Sequence, residues 1–232
     1  GQPKQLLTLA VGAEKGFSLF VQSLNTQNGG RSPFAGTATN AIALLPGERI
    51  IDDLEVLVTG APDAATMITL VDDYFTGPAG GYETVAYQGN AAAQTGFTID
   101  DGEVATTDIT ALDPAIRRTL SGLAMASLLA RSAGPVDDAS REAIADQAGE
   151  WMQEGFDATT DLRARLGVVE ARVDAALTRH RATLTTLGSE RAEMVNADPF
   201  EAAIELQAVE TRLETIFLMT ARLQRLTLAE YL

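Results

Sequence analysis

The chain has 232 residues, of which 46% are hydrophobic, and it carries a formal net charge of −15. So acidic a chain argues against nucleic acids and anionic membranes as partners, because both are bound by clustered Lys and Arg side chains. The chain has no cysteine, which excludes disulfides and thiolate chemistry, and no apolar run reaches the length of a membrane-spanning helix. The N-terminal stretch LLTLAVGA follows only one lysine, so a cleaved signal peptide is not predicted.

Residues 4–28 are predicted to form a helix, because their apolar side chains recur at helical spacing. The positions on this stripe are Leu6, Ala10, Ala13, Phe17, Phe20 or Val21, and Leu24. Gly29-Gly30 is expected to end the helix, and a turn-rich connector rich in proline and glycine follows at residues 31–37.

Residues 42–112 differ in character, with twelve acidic residues and a single basic one, Arg49. Short apolar runs at residues 54–59 and 83–88 are predicted to be extended, and residues 63–76 to form a short helix capped by Asp63. Asp101-Gly102 is a strong turn signal that predicts a hairpin between residues 97–99 and 103–107. Together these elements predict a small α+β insert with a solvated acidic surface.

Helical patterns then return and continue to the C-terminus. Asp113-Pro114 begins a predicted helix that ends near Arg131, and Asp137 or Ser140 is expected to cap the next helix, which runs to about Glu154. A further helix of about 40 residues is predicted from residue 156 to 195, long enough to indicate a rod. Its stripe comprises Leu162, Leu166, Val169, Val173, Ala176, His180, Thr183, Leu187 and Met194.

The last 35 residues are predicted to form one long amphipathic helix. Asp198 is the expected N-cap, Pro199 suits the first helical position, and Glu201 complements the positive end of the helix. Apolar residues then alternate at spacings of three and four, which is typical of a heptad seam. The predicted assembly seam consists of Leu206, Val209, Leu213, Ile216, Leu223 and Leu226.

No residue pattern indicates catalysis, a cofactor or a metal site. His180 is the only histidine, and the positions one turn away from it are not metal ligands or acid–base partners, so it is interpreted as a polar residue of the helix surface. The acidic doublets, such as Asp100-Asp101, lack the spacing of a calcium-binding loop. The glycines and serines form no phosphate-binding loop and no nucleophile elbow.

The C-terminal stretch resembles the C-terminal helix of the bacterial flagellin family, and in particular that of hook–filament junction proteins. The features that carry the resemblance are residues 198–203 (DPFEAA), residues 220–223 (TARL) and the ending LTLAEYL at residues 226–232. Three other stretches are similar to the family in the same order: residues 32–37 (SPFAGT), the helix that begins at Asp113, and the segment from Leu166 to Arg172. The longer N-terminal helical arm typical of the family is expected to be largely missing from this sequence.

The resemblance implies a mainly α fold, a long helical coiled-coil rod with a small inserted α+β domain. Residues 1–41 and 111–232 would form the rod and residues 42–110 the outer domain. It also implies a structural, non-enzymatic subunit of the extracellular flagellum, which is exported by the flagellar type III route with an export chaperone as a partner. Its other implied partners are the hook-side junction protein, flagellin and further copies of the chain in a ring, with no cofactor. A filament flagellin is the nearest alternative, and a coiled-coil adaptor that binds a partner helix is the alternative of another class.

Overall fold

The computed structural model describes residues 2–92, 94, 96–135, 137–195 and 199–229. Within these ranges, side chains are described for residues 12–223, with the exception of Pro199. The described residues are mainly helical, as predicted. The helices are α1 (Gln2–Leu24), α2 (Gly47–Val58), α3 (Ala64–Thr76), α4 (Pro114–Ala130), α5 (Asp138–Val195) and α6 (Pro199–Ala229). A π-helical turn (Tyr82–Ala86) and a hairpin of β1 (Phe97–Asp100) and β2 (Glu103–Ala105) lie between α3 and α4.

The chain divides into two compact units, Gly1–Asp174 and Ala175–Leu232. The first unit contains the main hydrophobic core. The predicted stripe of α1 supplies Ala13, Phe17, Val21 and Leu24, all of which are buried, and α1 packs against α4. The side chains of Leu6 and Ala10, which were predicted on the same stripe, lie outside the described residues.

Helices α2 and α3 and the π-helical turn contribute to this same core through Leu54, Met67, Val71, Phe75 and Tyr82. The acidic segment therefore shares its apolar interior with α1 and α4. Its separation as an outer domain at residues 42–110 stays a prediction.

Local signals predicted several boundaries correctly. The Asp63 carboxylate accepts a hydrogen bond from the backbone N–H of Thr66 at 2.8 Å and caps α3. The Asp113 carboxylate accepts one from the backbone N–H of Ala115 at 2.9 Å and caps α4, with Pro114 in the first turn. Asp101 and Gly102 form the turn of the hairpin, where Gly102 has a φ of +75°.

The two extended runs were predicted wrongly. Residues 54–58 belong to α2, because Ile50, Ile51, Leu54 and Val58 form a buried helical stripe that begins before the short run. Residues 83–86 belong to the π-helical turn, where the backbone N–H of Tyr87 donates to the carbonyl oxygen of Tyr82 at 2.8 Å.

The predicted helix boundary near Glu154 was also wrong, since α5 continues without a break through this position and has 58 residues in all. The Asp137 carboxylate accepts a hydrogen bond from the backbone N–H of Ser140 at 2.8 Å at the start of this helix. Gly155 does not end the helix but allows close packing, because a Cβ atom there would lie 2.7 Å from the Cα atom of Thr119 on α4. A glycine inside a helix thus serves the contact between α4 and α5.

Three arginines of α4 and its C-terminal end tie the surrounding elements together. Arg131 forms ion pairs with Glu14 of α1 and with Asp52 and Glu55 of α2. Arg117 donates to the carbonyl oxygens of Leu112 and Phe75 and to the carboxylate of Glu83, and its guanidinium lies 5.7 Å from the ring centroid of Tyr82.

The third arginine, Arg118, pairs with Asp72 at 3.0 Å and with Glu154 at 3.2 Å, and its guanidinium lies 5.3 Å from the ring centroid of Trp151. The helices of the first unit are therefore joined by charged contacts at the edge of the core as well as by the core itself.

Candidate assembly surface

Helix α6 carries the predicted seam. It has 31 residues, which corresponds to a length of about 46 Å at 1.5 Å per residue. Glu201 lies in its first turn, where a negative charge is favoured by the helix dipole. Asp198, the predicted N-cap, lies outside the described residues.

The seam residues whose side chains are described all lie on the surface of α6. Leu206, Val209, Leu213, Ile216 and Leu223 are between 47% and 64% exposed in this single chain. At 100° per residue they fall within about 100° of the helix circumference, so they form one apolar stripe. The side chain of Leu226, the sixth predicted seam residue, lies outside the described residues.

The sequence interpretation missed one aromatic residue of this stripe. Phe217 is 69% exposed and lies one helical turn after Leu213, so its ring borders the same face. The spacing of four residues was a signal that could have identified it.

A second group of exposed apolar residues was also missed. Phe200, Ile204 and Leu218 are all more than half exposed. Their spacing places them about 120–160° around α6 from Leu206, away from the seam. Helix α6 therefore presents apolar side chains on two faces, as expected for a helix that is covered by more than one neighbour.

The threonines of α6 satisfy their hydroxyl groups within the helix. The Oγ1 atoms of Thr211, Thr215 and Thr220 donate to the carbonyl oxygens four residues earlier, at 2.8–2.9 Å. Such bonds leave the side-chain methyl group as the part that faces outward.

The end of α5 within the second unit is exposed in the same way. Leu177, Leu184, Leu187 and Met194 are all at least 45% exposed and recur at spacings of three and seven residues. Exposed apolar side chains that share one helix face are typical of a surface that binds another helix.

The groups considered for other chemistry occupy structural positions. His180 lies exposed on α5 and has polar or charged contacts there. Asp52, Asp72 and Asp137 of the acidic doublets are held in the ion pairs and the cap described above. Within the described ranges, no cluster of three His, Asp or Glu residues has a metal-binding arrangement. In the same ranges, no helix combines the length and hydropathy needed to cross a membrane.

Residues 150–232 match the family model of the bacterial flagellin C-terminal helical region. This segment covers about a third of the chain and contains every residue of the predicted seam. No curated protein and no solved structure gives a significant match to the chain.

Proposed function

We propose that this chain is the subunit that joins hook to filament. The proposal is supported by the match of residues 150–232 to the family model of the bacterial flagellin C-terminal helical region, a region of structural flagellar proteins. The task of the chain in this role is mechanical. The long helices pack laterally and axially against neighbouring subunits, and the acidic segment faces outward. It assembles with the hook-side junction protein, with flagellin and with further copies of itself in a ring, after export with the help of a chaperone.

The observation that carries this proposal is the continuous exposed stripe on α6 within the segment that matches the family. Full burial of one exposed leucine, isoleucine or valine side chain contributes about 1.5–3 kcal/mol. The five side chains of the stripe are roughly half exposed, so covering each contributes about half of this amount and the five together give a strong driving force for association. The contacts of a filament subunit repeat helically, so the stripe of one subunit meets a different surface of the next.

A short motif near the end of α6 supports the junction role. Residues 226–232 read LTLAEYL, which resembles a motif of junction proteins.

Charged substitutions in the seam test the assembly role. Leu213→Asp and Leu223→Asp each place a carboxylate in the stripe, where burial of an unpaired charge is costly. We expect both variants to be exported but to fail to support filament assembly and swimming in soft agar. Ala221→Asp is the matched control, because it adds the same charge to α6 between its two apolar faces, about 60° around the helix from both Leu206 and Leu218.

Normal swimming by both leucine variants would refute the seam. Equal loss with Ala221→Asp would show that α6 tolerates no added charge and would leave the stripe without a special role. Circular dichroism at 222 nm checks that each variant remains helical.

Immunogold electron microscopy separates the two flagellar roles. A single labelled band at the tip of the hook is expected for a junction subunit. Label along the whole filament would identify a filament flagellin, and a discrete soluble complex without any polymer would favour a coiled-coil adaptor.

A further inference from the structure

Two helix faces of the second unit expose apolar side chains in the single chain. One is the seam of α6. The other is a face of α5 whose positions alternate at spacings of three and four, and its apolar members are at least 45% exposed. We call it the α5 face, and it consists of Leu177, His180, Leu184, Leu187, Arg191 and Met194. Among the described residues, α5 and α6 make no extended contact with each other, so neither face covers the other within one chain.

The α5 face and the seam match in spacing. The seam stripe alternates in the same way through Leu206, Val209, Leu213, Ile216, Thr220 and Leu223. When the two helices are parallel and Leu184 lies opposite Leu213, each position of one face lies opposite a position of the other. The apolar pairs are then Leu177 with Leu206, Leu184 with Leu213, Leu187 with Ile216, and Met194 with Leu223, and the mixed pair is His180 with Val209.

The polar residues within the faces select this register. Arg191 falls opposite Thr220, whose Oγ1 atom donates to the carbonyl oxygen of Ile216 at 2.8 Å and can still accept a hydrogen bond from a guanidinium. Moving the helices by one heptad places Arg191 opposite Leu213, and reversing one helix places it opposite Val209. A covered cation without an acceptor is costly, so the polar pair favours the parallel arrangement with Thr220 opposite Arg191.

The charges that flank the two faces favour the same arrangement. Arg181 directly follows His180 on α5, and Glu205 directly precedes Leu206 on α6. In the parallel register these two side chains border the contact at positions where coiled-coil helices form ion pairs. Neither forms an ion pair with any residue that the structure describes.

Contacts between two like faces are disfavoured by the same charges. Two parallel α5 faces in register would place Arg191 against its own copy. Two parallel seams would bring Glu205 of one helix beside Glu210 of the other. Opposite charges meet only when an α5 face and a seam come together.

We propose that the seam of one copy packs in parallel on the α5 face of a second copy, with Leu213 opposite Leu184. This inference rests on the proposed function, in which copies of the chain assemble with each other, and it names the surface that receives the seam. Every copy carries both faces, so the contact is heterologous. It therefore continues into a ring or a helical row of copies and does not stop at a dimer.

Disulfide cross-linking between separately purified full-length chains tests the contact. The chain has no cysteine, so one introduced thiol reports on one position. Arg191→Cys chains are mixed with Thr220→Cys chains and oxidised with copper phenanthroline. We expect a disulfide-linked dimer on a non-reducing gel, because opposed core positions of parallel helices fall within the Cα separation of about 4.4–6.8 Å that a disulfide requires.

Each cysteine variant oxidised alone should stay monomeric on the gel. Thr215→Cys is the matched control partner for Arg191→Cys, because Thr215 lies about 180° around α6 from Leu206. This mixture should give no dimer.

Reversal of one flanking charge tests the ion pair. Arg181→Glu should weaken the concentration-dependent association of the chain in sedimentation velocity by about tenfold, because an exposed attraction becomes a repulsion. Adding Glu205→Arg to the same chain should restore the association. Arg163→Glu is the matched control, since it makes the same charge change in the part of α5 that belongs to the first unit.

The absence of a dimer in the mixture, equal linking with Thr215→Cys, or a dimer formed by either variant alone would overturn the proposal. A chain with both cysteines that links only within itself would show that α6 folds back on its own α5, which would also overturn it. Failure of Glu205→Arg to rescue Arg181→Glu would refute the parallel register.

The contact and the proposed function can fail separately. Loss of swimming with Leu213→Asp but no cross-linked dimer would remove this contact and leave the junction role in place. Normal swimming by both seam variants would remove the assembly role of α6 itself.

Discussion

Two buried tyrosines of the first unit allow a sharp test of the structure. The Tyr82 hydroxyl donates to the carbonyl oxygen of Ala111 at 2.7 Å in the core, whereas the buried Tyr74 hydroxyl has no hydrogen-bond partner among the described residues. Tyr82→Phe removes one buried hydrogen bond and leaves the Ala111 carbonyl oxygen without that donor. The expected loss in the free energy of unfolding is about 2 kcal/mol, which is the sum of the net contribution of a typical hydrogen bond to stability and part of the penalty for a buried acceptor left unsatisfied.

Tyr74→Phe is the matched control, since it deletes the same atom from a hydroxyl that bonds to no residue in the described part of the chain. We expect the free energy of unfolding to be unchanged or slightly higher, because a buried hydroxyl without a partner is itself unfavourable. The ring contacts between Tyr74 and Phe75 and between Phe75 and Tyr82 persist in both variants.

Urea unfolding followed by tryptophan fluorescence measures both effects. Trp151 is the single tryptophan of the chain and is only 5% exposed in the same core, so its emission reports on the unit that contains both tyrosines. The slope of the transition should remain constant, which makes the shift in midpoint a measure of stability. Equal destabilisation by the two substitutions, or a larger effect of Tyr74→Phe, would refute the assigned hydrogen bonding.

Three further predictions follow from the packing and the titrating groups. Gly155→Ala should lower the free energy of unfolding by about 1–3 kcal/mol in urea unfolding, because its Cβ atom would overlap Thr119. Gly167→Ala is the control, because Gly167 also lies inside α5 but has open space around it; this change should raise stability by about 0.5–1 kcal/mol. Destabilisation by both alanine substitutions would contradict the packing of α4 on α5. The free energy of unfolding should fall as the pH rises from about 10 through 12. Burial raises the pKa of Tyr74 to about 12 in the folded chain, so the Tyr74 hydroxyl loses its proton at lower pH in the unfolded chain than in the folded one. Tyr74→Phe should reduce this alkaline loss of stability, measured by fluorescence against pH. The hydrogen bond from the backbone N–H of Ser140 lowers the pKa of the Asp137 carboxyl group. The stabilisation of the chain by this carboxylate is therefore present above the ordinary aspartate pKa and disappears as the pH falls through the lowered pKa of Asp137. Asp137→Ala should lower the melting temperature at pH 7 but not at pH 2.

The features predicted correctly from the sequence depend on neighbours within a few residues. Asp63, Asp113 and the Asp101-Gly102 turn each satisfy backbone groups that lie close by in the chain, so residue type and spacing are sufficient. The errors arose where distant contacts decide the structure. Residues 54–58 are rich in β-branched and apolar side chains in a short window, and only the stripe that begins at Ile50 reveals the helix.

Gly155 illustrates the same limit for helix boundaries. A glycine with neighbouring polar residues is typical of a helix end, yet its function here depends on Thr119, which is 36 residues away in the chain. The apolar stripe of α6 could be predicted from periodicity alone and is exposed in the single chain, while its role as an assembly seam stays a prediction.

The internal hydrogen bonds of the α6 threonines affect how water leaves this surface. Thr220 lies between Ile216 and Leu223 on the seam stripe, and its hydroxyl already donates to the carbonyl oxygen of Ile216. A neighbouring helix that covers Thr220 has no need to provide an acceptor for this hydroxyl or to retain a bridging water there. The stripe can therefore close as a dry contact across a residue that would otherwise keep it hydrated.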